Sequence, residues 1–276
     1  MISGGLNHFN FRFSNETAPG VTLSVVPGAS DAEGAWTQIA TAANIAQDIN
    51  EMQLRVTLGT TSAAIKNHLL DIGVDEAGGT AYVAIISNIA CGASTSINRG
   101  GRVYQFPRKI KSGSTVAVRI QGSNATAGTV QVVIDFRGLP SNPHNIRTGQ
   151  FSETIGTITG SAGVSFTPGD SGAEGAWVSL GTTAQPLWWW QVCTQITNAI
   201  ITSGTQHYDL SFGDATNKVM IIENHGGSTV TTEEIHSQHQ AYGYKEVKAG
   251  SEIFIRGTGS VVAVTGHNAV AIGIGG

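Results

Sequence analysis

The chain carries two copies of one sequence pattern, and no other feature restricts its fold as strongly. Pro27-Gly28-Ala29-Ser30-Asp31-Ala32-Glu33-Gly34-Ala35-Trp36 returns as Pro168-Gly169-Asp170-Ser171-Gly172-Ala173-Glu174-Gly175-Ala176-Trp177, with eight of ten positions identical at an offset of 141. Further on, Met52–Leu58 meets Trp190–Ile196 and Asp71-Ile72 meets Asp209-Leu210, both at an offset of 138. Near the end, Lys111–Arg119 meets Lys248–Arg256 at an offset of 137. Ordered matches with so small a drift mean a duplicated domain, not a recurring short motif.

A length of 276 residues suits two ordinary domains, at roughly 100–200 residues each. The copies run over 18–138 and 160–276, with a Pro- and Asn-rich linker over 139–159. Residues 1–17 form an extended N-terminal arm in which Phe9, Phe11 and Phe13 alternate strictly, the period of a strand with one aromatic face. Such an arm must bury its rings, against its own first domain or against a neighbouring subunit. Within each copy, short alternating runs such as Met52-Leu54-Val56-Leu58 and Val116-Val118-Ile120 are separated by Gly, Asn and Ser turns. The expected fold class is all-β, as two tandem β-sandwich, jelly-roll-like domains. One stretch, Ala42-Ile45-Ala46-Ile49, also fits a helix face. Its counterpart carries Pro186, which limits any helix there to a turn or two. Trp36 and Trp177 are expected to enter the core at the start of a strand.

Charged residues make up 12% of the chain and glycine 36 of its 276 positions, against averages of about 25% and about 7%. A net charge of −4 argues against nucleic-acid binding, which needs clustered Lys and Arg. No apolar run reaches the roughly 20 residues of a membrane span. The N-terminus lacks the basic start and apolar run of a signal peptide, so the expectation is a soluble protein made in a cytoplasm. Cys91 and Cys193 are too few for a disulfide framework and are expected as buried thiols, with a bridge between subunits left open.

Gly169-Asp170-Ser171-Gly172 looks like the surroundings of a trypsin-like nucleophile. The equivalent turn in the first copy is Gly28-Ala29-Ser30-Asp31, and no histidine motif supplies a base. His225, His236 and His239, near Glu233 and Glu234, have the chemistry of metal ligands. Their spacing on a strand sends residues three apart to opposite faces, so the expectation is a polar surface loop. No carboxylate pair stands out for glycoside hydrolysis. The expectation is therefore no catalytic residue, no metal, no cofactor and no enzyme. Trp188-Trp189-Trp190 meets Asn50-Glu51-Met52 of the first copy, so two tryptophans replace polar residues. Trp190 belongs in the core by that alignment. Trp188 and Trp189 join Phe9, Phe11 and Phe13 as interface candidates, with stacking on a sugar ring as the other use of such rings.

The sequence Ala-Glu-Gly-Ala-Trp, the strand with Asp71-Ile72-Gly73 and the closing Lys-x-Gly-Ser-x-Val-x-Val-Arg segment resemble the jelly-roll modules of tailed-bacteriophage virion proteins. These modules serve as capsid decoration proteins, tail-tip parts or fibre heads. The resemblance spans both copies and brings no catalytic residues. It implies a structural role on the particle, commonly as a homotrimer, with the major capsid protein or other virion proteins as partners. Capsid decoration on the exterior is the first expectation. A tail or fibre protein that binds host-surface glycans through the second copy is the alternative.

Overall fold

The computed structural model describes residues 9–14, 24–25, 28, 30–58, 67–91, 102–123, 130–138, 147–156, 158, 160, 162–196, 204–230, 233–236, 242–260 and 266–276. The first half contributes β1 (Phe9–Ser14), β2 (Ser24–Val25), β3 (Thr37–Ala40), β4 (Glu51–Leu58), β5 (His68–Asp75), β6 (Val83–Ala90), β7 (Arg102–Phe106), β8 (Thr115–Gly122) and β9 (Val130–Gly138). The second contributes β10 (Phe151–Ile155), β11 (Val164–Phe166), β12 (Val178–Thr182), β13 (Leu187–Ile196), β14 (Gly204–Gly213), β15 (Lys218–Val230), β16 (Glu233–His236), β17 (Tyr242–Val247), β18 (Glu252–Gly259) and β19 (His267–Gly275).

Strand order repeats from one half to the other. Sheets β1-β9-β4-β7, joined by β2, and β3-β8-β5-β6 make the first sandwich. Sheets β10-β19-β13-β17, joined by β11, and β12-β18-β14-β15-β16 make the second, with β16 as the added strand. All the strand pairs are antiparallel and non-consecutive strands are neighbours, the jelly-roll arrangement of two sheets. The all-β, twin-sandwich expectation holds.

Alternation within the strands builds the interior. Met52, Leu54 and Val56 of β4 and Val116, Val118 and Ile120 of β8 point between the sheets and are buried. The matched Lys-x-Gly-Ser segments form the same turn twice. Gly113 and Gly250 both sit at φ +79°, and their N–H groups donate to the Ile45 and Thr183 carbonyls at 2.7 Å. The stretch that fits a helix face makes a single turn over 42–44, closed by Asn44 N–H donating to the Thr41 carbonyl at 2.9 Å. Asn44 Oδ1 accepts from the Thr41 N–H at 2.9 Å and so caps that turn against extension.

Two strands come from the segments outside the copies. β1 falls inside the N-terminal arm and pairs along its whole length with β9 of the same chain, the first of the two places expected for it. Its register sets Phe11 opposite Phe136 and Phe13 opposite Ile134, both of them buried. β10 falls inside the segment read as a linker, and it pairs with β19 in the equivalent place. The side chains of Phe9, Phe11 and Phe13 lie outside the described residues.

Candidate functional site

The repeated motifs converge on one side-chain cluster in each sandwich. Arg119 of β8 donates from Nε to Asp71 Oδ2 at 2.9 Å and reaches Glu33 with Nη1. Its guanidinium lies 4.4 Å from the Trp36 ring centroid. In the second sandwich Arg256 donates to Asp209 Oδ2 at 2.8 Å, reaches Glu174 and lies 4.3 Å from the Trp177 ring. Each aspartate also accepts the N–H of a residue held at positive φ: Asn88 at 2.8 Å and Asn224 at 2.7 Å. Asp71 and Arg119 alternate with core residues, so the cluster sits on the outer face of its sheet. Trp36 and Trp177 are accordingly half-buried under an arginine, which corrects the expectation that they enter the core. A Cβ on Gly73 would come within 2.6 Å of the Trp36 ring, so a small residue is what makes room for it. The cluster clamps the chain before β3 or β12 to the strands behind it, which is why its parts recur together in the sequence.

The outer faces of the two equivalent sheets differ in charge. On the first, Glu51 pairs with Arg137 at 3.0 Å and Arg55 with Asp135 at 3.5 Å, on adjacent strands β4 and β9. The register of β13 against β19 puts Trp189, Cys193, Ile272 and Ile274 at the corresponding places. These side chains are buried, and with Trp188 and Val270 they belong to the core cluster of the first sandwich. Trp189 meets Phe106 of β7 edge-on, with ring centroids 5.7 Å apart. Around that apolar centre, Ser152 Oγ donates to the Ile85 carbonyl at 2.5 Å, and Thr154 Oγ1 donates to that of Ser87. Gln195 Oε1 accepts from the His68 N–H at 3.2 Å. One sandwich is thus seated by its β6–β7 side on the sheet face of the other.

This seam accounts for the tryptophans. Trp190 fills the second sandwich's own core and donates from Nε1 to the Lys245 carbonyl at 3.0 Å. Strict alternation would send Trp188 the same way. The pairing of β13 with β17 slips between Leu187 and Trp189, and a bulge of this kind re-aims a side chain. Trp188 and Trp189 therefore both join the seam, at 4% and 1% exposure. They are interface residues within the chain.

At the rim of the seam a groove of about 430 Å³ is lined by Glu51, Pro107, Arg147, Trp188, Tyr244, Lys245 and Glu246. Tyr244 is 68% exposed and stacks on Trp188 at 6.2 Å and 14°. Arg147 lies 4.6 Å over the Trp188 ring and pairs with Glu246 at 2.6 Å. Trp188 Nε1 is buried with no acceptor among the described residues. The groove offers an aromatic platform beside both carboxylates and cations.

The other candidate chemistry disperses. Ser171 is exposed in the turn that Ser30 occupies in the first copy. His225 lies on β15, and His236 ends β16, which pairs with β15 where a loop was expected. His239 lies outside the described residues. Among the described residues no group of three or more His, Cys, Asp or Glu could hold a metal ion. Cys91 and Cys193 are both buried thiols of the seam cluster.

No family model matches the chain. No curated protein matches it either. Solved structures resemble the chain weakly. PNGF-II is 9% identical with a TM-score of 0.38, and the match covers 96% of this chain and 65% of that one. PNGase F, a glycosylasparaginase from Flavobacterium meningosepticum, is 11% identical with a TM-score of 0.36, covering 98% and 96%. The major capsid protein P2 from bacteriophage PM2 is 8% identical with a TM-score of 0.32, covering 97% and 98%. The expectation that the chain is not an enzyme is withdrawn, since these similar structures include a glycosylasparaginase. With every one of these TM-scores below 0.5, these likenesses assign no activity, substrate or partner to this chain.

Proposed function

We propose that the chain is a structural protein of a virus particle, and that its place is the capsid exterior of a tailed bacteriophage. The observation that carries the reading is the seam. Duplication produced two jelly rolls, and the face that is charged in one has become apolar in the other. The result joins the two into a single building block. The twin arginine clusters likewise serve to hold strands in place. The motif resemblance to phage virion modules supports the same reading. Partners on this reading are further copies of the chain, as a homotrimer, and the major capsid protein. Mass spectrometry of gradient-purified particles should find the chain at a fixed ratio to the major capsid protein, with immunogold on intact shells. Loss of the chain from washed particles would overturn the proposal.

The rim groove favours a second reading, binding of host-surface glycan through the second sandwich. An exposed ring braced from behind is the platform on which a sugar stacks, and Tyr244 has that setting. Trp189, at 1% exposure, does not. Tyr244→Ala should abolish binding to cell-envelope polysaccharide while leaving the melting temperature unchanged. Equal binding by the variant would remove this reading.

A further inference from the structure

We propose that a second cavity, at the foot of the segment joining the two sandwiches, binds an oxyanion of the phosphate type. The cavity, about 240 Å³, is lined by Glu76, Arg108, Lys109, Lys111 and Gln150. It lies where the joining segment is strapped to the first sandwich. Gly149 N–H donates to the Pro107 carbonyl at 2.7 Å, and Lys109 N–H to the Gly149 carbonyl at 3.1 Å.

Two of the cations there, Arg108 and Lys111, make no ion pair among the described residues. Arg108 is half-buried, and its Nη1 donates only to two carbonyls, those of Gly149 at 3.2 Å and Lys109 at 3.3 Å. Its Nε is buried with no acceptor among the described residues. Burial lowers the Arg108 pKa, opposed only by the field of Glu76, an exposed residue on the cavity wall. Lys109 is satisfied by Asp48 at 3.3 Å. Lys111 has no ion pair among the described residues. A guanidinium drawn out of water without a carboxylate in direct contact is an unfavourable arrangement. An anion held between Arg108 and Lys111 completes it, because charge-assisted bonds to oxyanions are among the strongest a protein makes. Phosphate fits the guanidinium fork and the point charge of a lysine together. Glu76 sets the limit on affinity, since it repels the same anion.

The test is thermal unfolding of the full chain in inorganic phosphate, against chloride at equal ionic strength. A ligand that binds only the folded state raises the melting temperature in a saturable way. Phosphate should do so for the unaltered protein and for Lys245→Gln, whose charge lies in the other groove. Arg108→Gln should abolish the effect. Because Arg108 also holds the Gly149 carbonyl, Lys111→Gln serves as the variant that leaves the strap intact. It should weaken phosphate binding roughly tenfold, the loss of one charged hydrogen bond. Dimethyl phosphate distinguishes the source. A shift with it assigns the site to a phosphodiester polymer, and a shift with the free ion alone assigns it to a small anion. No excess shift over chloride, or an undiminished shift in Lys111→Gln and Arg108→Gln relative to the unaltered protein, overturns the proposal.

Discussion

Truncating Trp189 probes the seam at its largest side chain. Trp189 is 1% exposed and packs edge-on against Phe106. Removing a buried tryptophan to alanine costs about 3–5 kcal/mol, because the lost transfer energy is joined by the cavity left behind. The equivalent position in the first sandwich is Glu51, half-buried and engaged in an ion pair with Arg137 at 3.0 Å. Partly exposed pairs of that kind contribute about 0–1 kcal/mol. Trp189→Ala and Glu51→Ala should therefore differ by at least about 2 kcal/mol, although they occupy the same place in one duplicated fold. Urea unfolding followed by circular dichroism measures this as a fall in the transition midpoint at constant slope. A loss below about 1 kcal/mol for Trp189→Ala would refute the reasoning. The ring would then not be held between two sandwiches.

Three further outcomes follow from the same geometry. Arg119→Gln and Arg256→Gln each strip the partner from an aspartate whose side chain is only 6% or 5% exposed. Each should cost about 3 kcal/mol, the low end for a broken buried pair, since the arginines are themselves a fifth exposed. Matched losses in chemical unfolding support the twin-cluster account, and a loss in one alone contradicts it. Gly149→Ala places a Cβ 1.9 Å from Ile274 Cγ2, so overpacking at the strap should cost about 1–3 kcal/mol by thermal unfolding. Asp48 is held below the ordinary aspartate range, first by the Ser112 N–H and then by Lys109. Its contribution is fully present above the unfolded value of about 3.9 and is lost as pH falls through the lower folded value. An NMR titration should give Asp48 a midpoint below that of an unfolded peptide, and an unshifted midpoint would contradict the turn geometry.

The duplication, the all-β class and the turn at each Lys-x-Gly-Ser were legible because they rest on local pattern. Glycine at a positive φ and alternation along β4 or β8 leave their mark within a few residues. The arm and linker were harder to read. β1 and β10 gain their place through pairing with β9 and β19, a long-range contact that no short window contains. The helix-like spacing of Ala42, Ile45, Ala46 and Ile49 arose from a loop that buries Ile45 and Ile49 on its way between strands. Trp36 and Trp177, each two residues after a glycine at the start of a strand, read as core residues. Their rings instead lie under Arg119 and Arg256, residues the repeat had already marked as invariant between the copies.

The seam was present in the sequence but needed the two copies compared column by column. Glu51, Arg55, Asp135 and Arg137 face Trp189, Cys193, Ile272 and Ile274 across the duplication, and every change runs from charged to apolar. The bulge after Leu187 breaks the strand alternation that would otherwise send Trp188 and Trp189 to opposite faces. The rim groove and the basic cavity were not legible at all. The groove gathers side chains from both sandwiches and the segment between them, and the cavity gathers its own from the first sandwich and that segment.

Differential scanning calorimetry of the intact chain tests the joined-sandwich account most directly. A shared apolar seam predicts one unfolding transition whose calorimetric and van't Hoff enthalpies agree. Two resolved transitions, each with the enthalpy of a single sandwich, would contradict it.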